Sequence, residues 1–184
     1  MAFFTTNYSN VNNNQGNYEP LPAGKYEMLI LSASEEVAKT GSQSLTFKLI
    51  VRNDLDQALP ATNGKYHNRV VWARVWKNKQ TGAYNMDNLQ YIMKAIGVPE
   101  GTPIESLEDF IKITWGKPVK VNVHLEDDDY HKGEKRNNIN PWDWENTEFI
   151  KVAHTNKDGQ VVNQGQGQPQ TQQAPDINAN SLPF

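Results

Sequence analysis

Apolar and polar positions alternate most cleanly over residues 44–53, SLTFKLIVRN. Leu45, Phe47, Leu49 and Val51 fall on one side; Thr46, Lys48, Ile50 and Arg52 fall on the other, the period-two signature of a strand with one buried face. Upstream, the turn-rich stretch Pro20-Leu21-Pro22-Ala23-Gly24 leads into Lys25–Ala33, a dense apolar strand with Tyr26, Met28 and Ile30 on one face. Thr40-Gly41-Ser42 supplies the turn between the two strands. Residues 54–64, with Pro60 and Asn63-Gly64, read as a loop, and Lys65–Lys77 as a third strand. The period then changes. In Asn85–Gly97, Leu89, Ile92, Met93 and Ile96 recur at helical spacing, with Gly97 as the stop and Pro99 beyond it. A second short helix is predicted over Ile104–Ile113 from Leu107, Phe110 and Ile111. Strand alternation returns at Lys117–Glu126, where Val119, Val121, Val123 and Leu125 point one way. A charged loop, 126–138, leads to a last strand around Ile139–Val152, interrupted or edged by Pro141.

Three strands, a helical segment and two more strands is the order of an OB-fold, a small Greek-key barrel. The predicted class is all-β with one or two helices: a five-stranded barrel with the helical segment between strands 3 and 4. The ends follow no such pattern. Residues 1–20 carry one charge, Glu19, and six Asn, and residues 155–184 are mostly Gln, Gly, Asn and Pro. Neither end can bury a face, so they are expected to be a flexible arm and a disordered tail around a domain at 21–154. These ends account for the low hydrophobic share, 37% of 184 residues. Zero cysteines exclude disulfide scaffolds, Cys-ligated metal sites and thiol nucleophiles. The longest aliphatic run, Met28-Leu29-Ile30-Leu31, is far short of a membrane span, and no Lys or Arg precedes Lys25 to form a signal-peptide n-region. A soluble, cytoplasmic protein with no membrane partner is expected.

The net charge is −3, which taken alone argues against a nucleic-acid partner. Its distribution argues the reverse. Lys39, Lys48 and Arg52 occur between Val37 and Asn53 without an acid, and Lys65, Arg69, Arg74, Lys77 and Lys79 between Gln57 and Met86, again without one. Strands 2 and 3, the usual oligonucleotide platform of an OB-fold, are therefore basic. In strand 3, turning the even positions inward would bury Arg74 mid-strand with no evident partner. Turning the odd positions inward buries Val71, Ala73 and Val75 and leaves Arg69 and Lys77 at the ends. Trp72, Arg74 and Trp76 are thus expected to face outward, two indoles flanking a guanidinium, as base stacking requires. The alternative is that both indoles form a second core patch beneath the helix.

Lys48, Arg52, Arg69 and Lys77 are candidate phosphate contacts beside Arg74, and Tyr66 is a weaker stacking candidate. Trp142 and Trp144, after Pro141, read rather as a cap on the barrel end. In the 126–138 loop, Tyr130, Lys132, Lys135 and Arg136 could clamp a strand; the alternative is a solvated hairpin tip of mixed charge. Asp127-Asp128-Asp129 with His131 lacks the spacing of a calcium loop, so neither a metal nor another cofactor is expected. No phosphate-loop, dinucleotide or nucleophile-elbow motif occurs, and an enzyme is not expected.

The C-terminal residues Asp176-Ile-Asn-Ala-Asn-Ser-Leu182-Pro183-Phe184 resemble the tip of bacterial single-stranded DNA-binding proteins, an acidic stretch ending in Leu-Pro-Phe or Ile-Pro-Phe. The resemblance implies a partner-binding tip at Asp176, Leu182, Pro183 and Phe184, although here Asp176 is the one acid among Asn178, Asn180 and Ser181. Over roughly residues 1–125, MAFFTTNYSNV, EPLPAGKYE, IVRND, IGVPEG, IESLEDF and GKPVKVNV resemble a family encoded by phages and mobile elements of Gram-positive bacteria, long labelled a domain of unknown function. That resemblance implies a non-enzymatic OB-fold binder of single-stranded DNA acting in replication or recombination in the bacterial host cell, with replication and recombination proteins as partners of the tip. Homo-oligomer formation and DNA-versus-RNA preference stay open. Two other classes compete: a carbohydrate-binding β-domain using exposed Trp residues, and a metal-dependent nuclease built on Asp127–Asp129.

Overall fold

The computed structural model describes residues 19–129 and 131–162. Its elements in chain order are β1 (Gly24–Val37), β2 (Gln43–Val51), β3 (Val70–Trp76), α1 (Met86–Ala95), α2 (Leu107–Thr114), β4 (Pro118–Asp127), β5 (Lys135–Asn138) and β6 (Trp144–Glu145). All pairings between these strands are antiparallel, in the order β3-β2-β1-β4-β5, with β6 against β4. The molecule is mainly an antiparallel sheet with a few helical turns.

β1 pairs with β2 over most of its length and with β4 through Gly24–Leu29. A bulge between Ile30 and Ser32 marks the point where it leaves β4 and continues with β2 alone. An extra residue there bends the strand and increases its twist. The alternation of β2 and β3 decides what is inside: Leu45, Phe47, Leu49, Val51, Val71, Ala73 and Val75 are buried, with Val119, Val121 and Val123 of β4. The helices cover this inner face. Asn85 caps α1 by accepting the Asp87 N–H at 2.9 Å, and Ser106 caps α2 by accepting from Asp109 at 3.1 Å. Gly97, at φ 78°, lets the chain turn out of α1 where a side chain would be strained. Phe110 and Trp144 meet Phe47 edge-on, at centroid distances of 6.4 and 5.1 Å.

The expected closed five-stranded barrel is not formed. β3 and β5 are the edges of the strand path; they lie against each other, but among the described residues no hydrogen-bonded ladder joins them. The third strand starts at Val70 rather than Lys65, because the expected loop winds into a π-helical turn at Pro60–Gly64 that continues as helix through residue 66, and a turn at 67–68 follows. The expected last strand is replaced by more irregular structure. β5 comes earlier, Pro141–Asp143 form a 3-10 turn, β6 has two residues, and 146–155 run as a strap without a ladder. Trp144 is in the core whereas Trp142 is exposed. Ordered contacts also pass the expected boundary at His154: Thr155 bridges to Val161, and the Val162 N–H reaches the His154 carbonyl at 2.9 Å.

Two buried opposite charges hold the strap. Glu27 accepts the Thr147 hydroxyl at 2.5 Å and the Glu148 N–H at 3.2 Å. Arg52 donates to the Phe149 carbonyl at 2.6 Å and the Lys151 carbonyl at 2.5 Å while gripping both oxygens of Asp54. Buried Asn63 joins the two anchors: its amide donates to the carbonyls of Glu27 and Arg52. Gly64 beside it has no room for a side chain, since a Cβ would sit 2.7 Å from the Asp56 carbonyl. Backbone without a ladder still needs partners, and side chains supply them here.

Candidate functional site

On the outer face of the sheet, β3 presents Trp72 and Trp76, 46% and 48% exposed, with exposed Arg74 between them. The register places each beside a β2 residue: Trp72 opposite Lys48, Arg74 opposite Thr46, Trp76 opposite Ser44. Those in turn face Ser32, Ser34 and Glu36 of β1. Side-chain alternation makes this face unavoidable once Val71, Ala73 and Val75 enter the core. Lys48 Nζ lies 5.8 Å from the Trp72 ring centroid, a cation–π contact that holds the lysine over the indole. Among the described residues Arg74 makes no ion pair. At one end of the face the Thr46 hydroxyl donates to Glu36 at 3.0 Å and lies 3.3 Å from the Ser44 hydroxyl.

The other basic candidates are placed elsewhere. Arg52 is a correction: it is fully buried, and its guanidinium is spent on Asp54 and the strap carbonyls, so no phosphate can reach it. Against the burial of its carboxyl, the hydrogen bonds from Arg52 and Ala153 hold Asp54 below the usual carboxylate range. Lys77, at an odd position, lies on the opposite side from the indoles and is 2.7 Å from Glu35, with its Nζ 5.0 Å from the Tyr84 ring centroid. Glu35 is lowered by the hydrogen bonds it accepts from Lys77 and from Tyr84. Burial, together with that Glu35 contact, raises the Tyr84 phenol. Tyr84 is the member of this cluster that sequence reasoning missed. Its position between strand and helix gave no period to read.

Arg69 donates to the Glu19 carbonyl, and Tyr66 packs edge-on against Tyr26 at 6.0 Å, so both help close the sheet end where the chain comes in. At the β4–β5 hairpin, Lys135 pairs with Asp127 at 2.5 Å, and Arg136 with Asp129 at 3.1 Å and Glu126 at 3.8 Å. Lys132 is exposed. These hairpin pairs are solvent-exposed and therefore weak enough to exchange partners. Tyr130 and the tip residues Asp176, Leu182, Pro183 and Phe184 lie outside the described residues. Asp128 contacts His131 at 3.3 Å, and no group of three or more His, Asp or Glu suited to a metal occurs among the described residues. No helix there is long and apolar enough to cross a membrane.

The fold and this face define an antiparallel β-sheet protein that displays an aromatic and cationic strand to solvent. By family, the chain belongs to the proteins of unknown function grouped as DUF669, whose model matches residues 4–160. No curated protein matches it.

Proposed function

We propose that this protein binds single-stranded DNA without sequence dependence, coating it during phage or mobile-element replication and recombination in the bacterial cytoplasm, and recruits partners through its C-terminal tip. The observation that carries this reading is the exposed triplet Trp72, Arg74 and Trp76. Two indoles at i and i+4 on one strand face offer stacking planes to any base, and the guanidinium between them serves backbone phosphates or stacks in its own right. The strand order supports an open OB-type sheet. β1 is bent and shared by β2 and β4, the helices fall between β3 and β4, and β5 lies against β3, where an OB-fold closes.

Titration with oligo-dT tests the reading. Tryptophan emission is expected to be quenched on binding, and the double substitution Trp72→Ala/Trp76→Ala to lose at least ~2 kcal/mol of affinity while the fold persists. Magnesium-dependent cleavage of the oligonucleotide would move the reading to a nuclease. Quenching by an oligosaccharide but not by oligo-dT would move it to the carbohydrate class.

A further inference from the structure

The outer face is asymmetric. Its two indoles have opposite companions: Trp72 shares its row with Lys48 and Ser32, whereas Trp76 shares its row with Ser44 and Glu36. An exposed carboxylate on a surface that takes up phosphates is a liability unless something other than phosphate meets it. Glu36 is also oriented rather than loose, because Thr46 donates to its Oε2 at 3.0 Å and so leaves Oε1 to accept from a ligand. Ser44, in the row between Glu36 and Trp76, is 1% exposed and its hydroxyl lies 3.3 Å from that of Thr46, so it does not compete for a ligand there. Strands lie roughly 4.8 Å apart, which puts the Glu36 and Trp76 backbones about 10 Å from each other, a span that two side chains and one stacked base bridge.

We infer that Trp76 and Glu36 form a base subsite that selects amino-bearing bases: the ring stacks on the indole and its exocyclic amine donates to Glu36. Cytosine donates through N4, whereas thymine turns the O4 acceptor toward the same carboxylate and is repelled. The Trp72 subsite, with Lys48, makes no such distinction in favour of an amine. Binding is thus general along the strand, with one biased position. This rests on the single-stranded DNA reading proposed above.

The test compares short oligo-dC and oligo-dT of equal length at pH 8, where cytosine stays unprotonated, using native protein, Glu36→Gln and Glu36→Ala. Glu36 is exposed, so both variants should fold. The native protein should bind oligo-dC about 5- to 10-fold more tightly than oligo-dT, the net worth of one solvent-exposed hydrogen bond. Both variants should bring that ratio close to unity, and their oligo-dT affinity should rise as the repulsion is removed. If the native protein binds both oligonucleotides equally, or the preference survives both substitutions, the subsite is overturned and general binding still stands. If neither oligonucleotide binds, the proposed function falls, and the subsite with it.

Discussion

Arg52 and Arg74 have the same chemistry and lie close in the fold, one just past the end of β2 and one within β3, yet their surroundings give them opposite work. Arg74 stands mid-strand on the exposed side of β3, whereas Arg52 follows the last residue of β2 and turns inward to Asp54, Phe149 and Lys151. Breaking a buried pair leaves its partner uncompensated, so Arg52→Met should destabilise the protein by about 3–5 kcal/mol in urea unfolding, without changing oligonucleotide affinity per folded molecule. Arg74→Ala should do the reverse, weakening binding and sparing stability. If both variants weakened binding equally, Arg52 would be reaching the ligand after all. The face of β3 was legible in sequence because burying Arg74 without a partner is costly, and a two-residue period leaves only two choices. Arg52 was illegible for a related reason. Arginine is rarely found fully buried, and the carbonyls that compensate it here lie about a hundred residues further along an irregular segment.

Strands and helices with a strong period were readable to within a few residues: β2, β4 and α1 follow from their apolar spacing. The strap was not, because its order comes from Glu27, Arg52 and Asn53 rather than from any pattern of its own. Its far end adds a proton-sensitive fastening. His154 is 1% exposed, its Nδ1 accepts the Asn53 N–H at 3.1 Å, and the Asn53 side chain in turn holds Thr155. Burial pushes the imidazole below its usual value near 6.5, assisted by Arg52 and opposed by Asp54 and Asp56. A depressed folded value means that the unfolded chain takes up the proton first. Stability from this contact is therefore complete above about pH 6.5 and falls as the pH drops below it toward the folded value. Thermal unfolding between pH 8 and pH 5 should show that decline, with smaller amide protection factors, relative to intrinsic exchange at each pH, over 146–162. His154→Gln should flatten the pH dependence over this range. An unchanged slope in that variant would assign the decline to other groups.

Charge over the entire molecule is less one-sided than the basic stretch of sequence suggests. Of the five candidate cations in and beside strands 2 and 3, Lys48 and Arg74 share the indole face; Arg52 is buried, Arg69 is engaged with the Glu19 carbonyl, and Lys77 is paired with Glu35 on the opposite side. Two phosphate contacts give a log–log salt slope of about −1.4 for a single strand. Participation of Lys132, Lys135 and Arg136 from the hairpin would steepen it to about −3.5. Measuring the slope with and without Lys132→Ala/Lys135→Ala/Arg136→Ala decides whether the hairpin folds over the strand. Truncation after Val162 should leave both unfolding and oligo-dT affinity as in the full chain, since the Gln-, Gly- and Asn-rich sequence beyond it offers almost nothing apolar to bury. Deleting Phe184 alone should abolish capture of a protein that recognises single-stranded DNA-binding protein tips, read by pull-down against the full chain. The strap also sets a schedule for synthesis. Glu27, in β1, and Arg52, just after β2, are made early, and Asp54 follows to pair with Arg52, but the donors to the Glu27 carboxylate and the carbonyls that take up the rest of the Arg52 guanidinium arrive only with residues 147–151. Until those residues clear the ribosome, closing the sheet would bury the Glu27 carboxylate without its donors and leave the Arg52–Asp54 pair short of two acceptors. The nascent domain is thereby kept from premature completion, and it locks only when nearly all of its folded length has emerged.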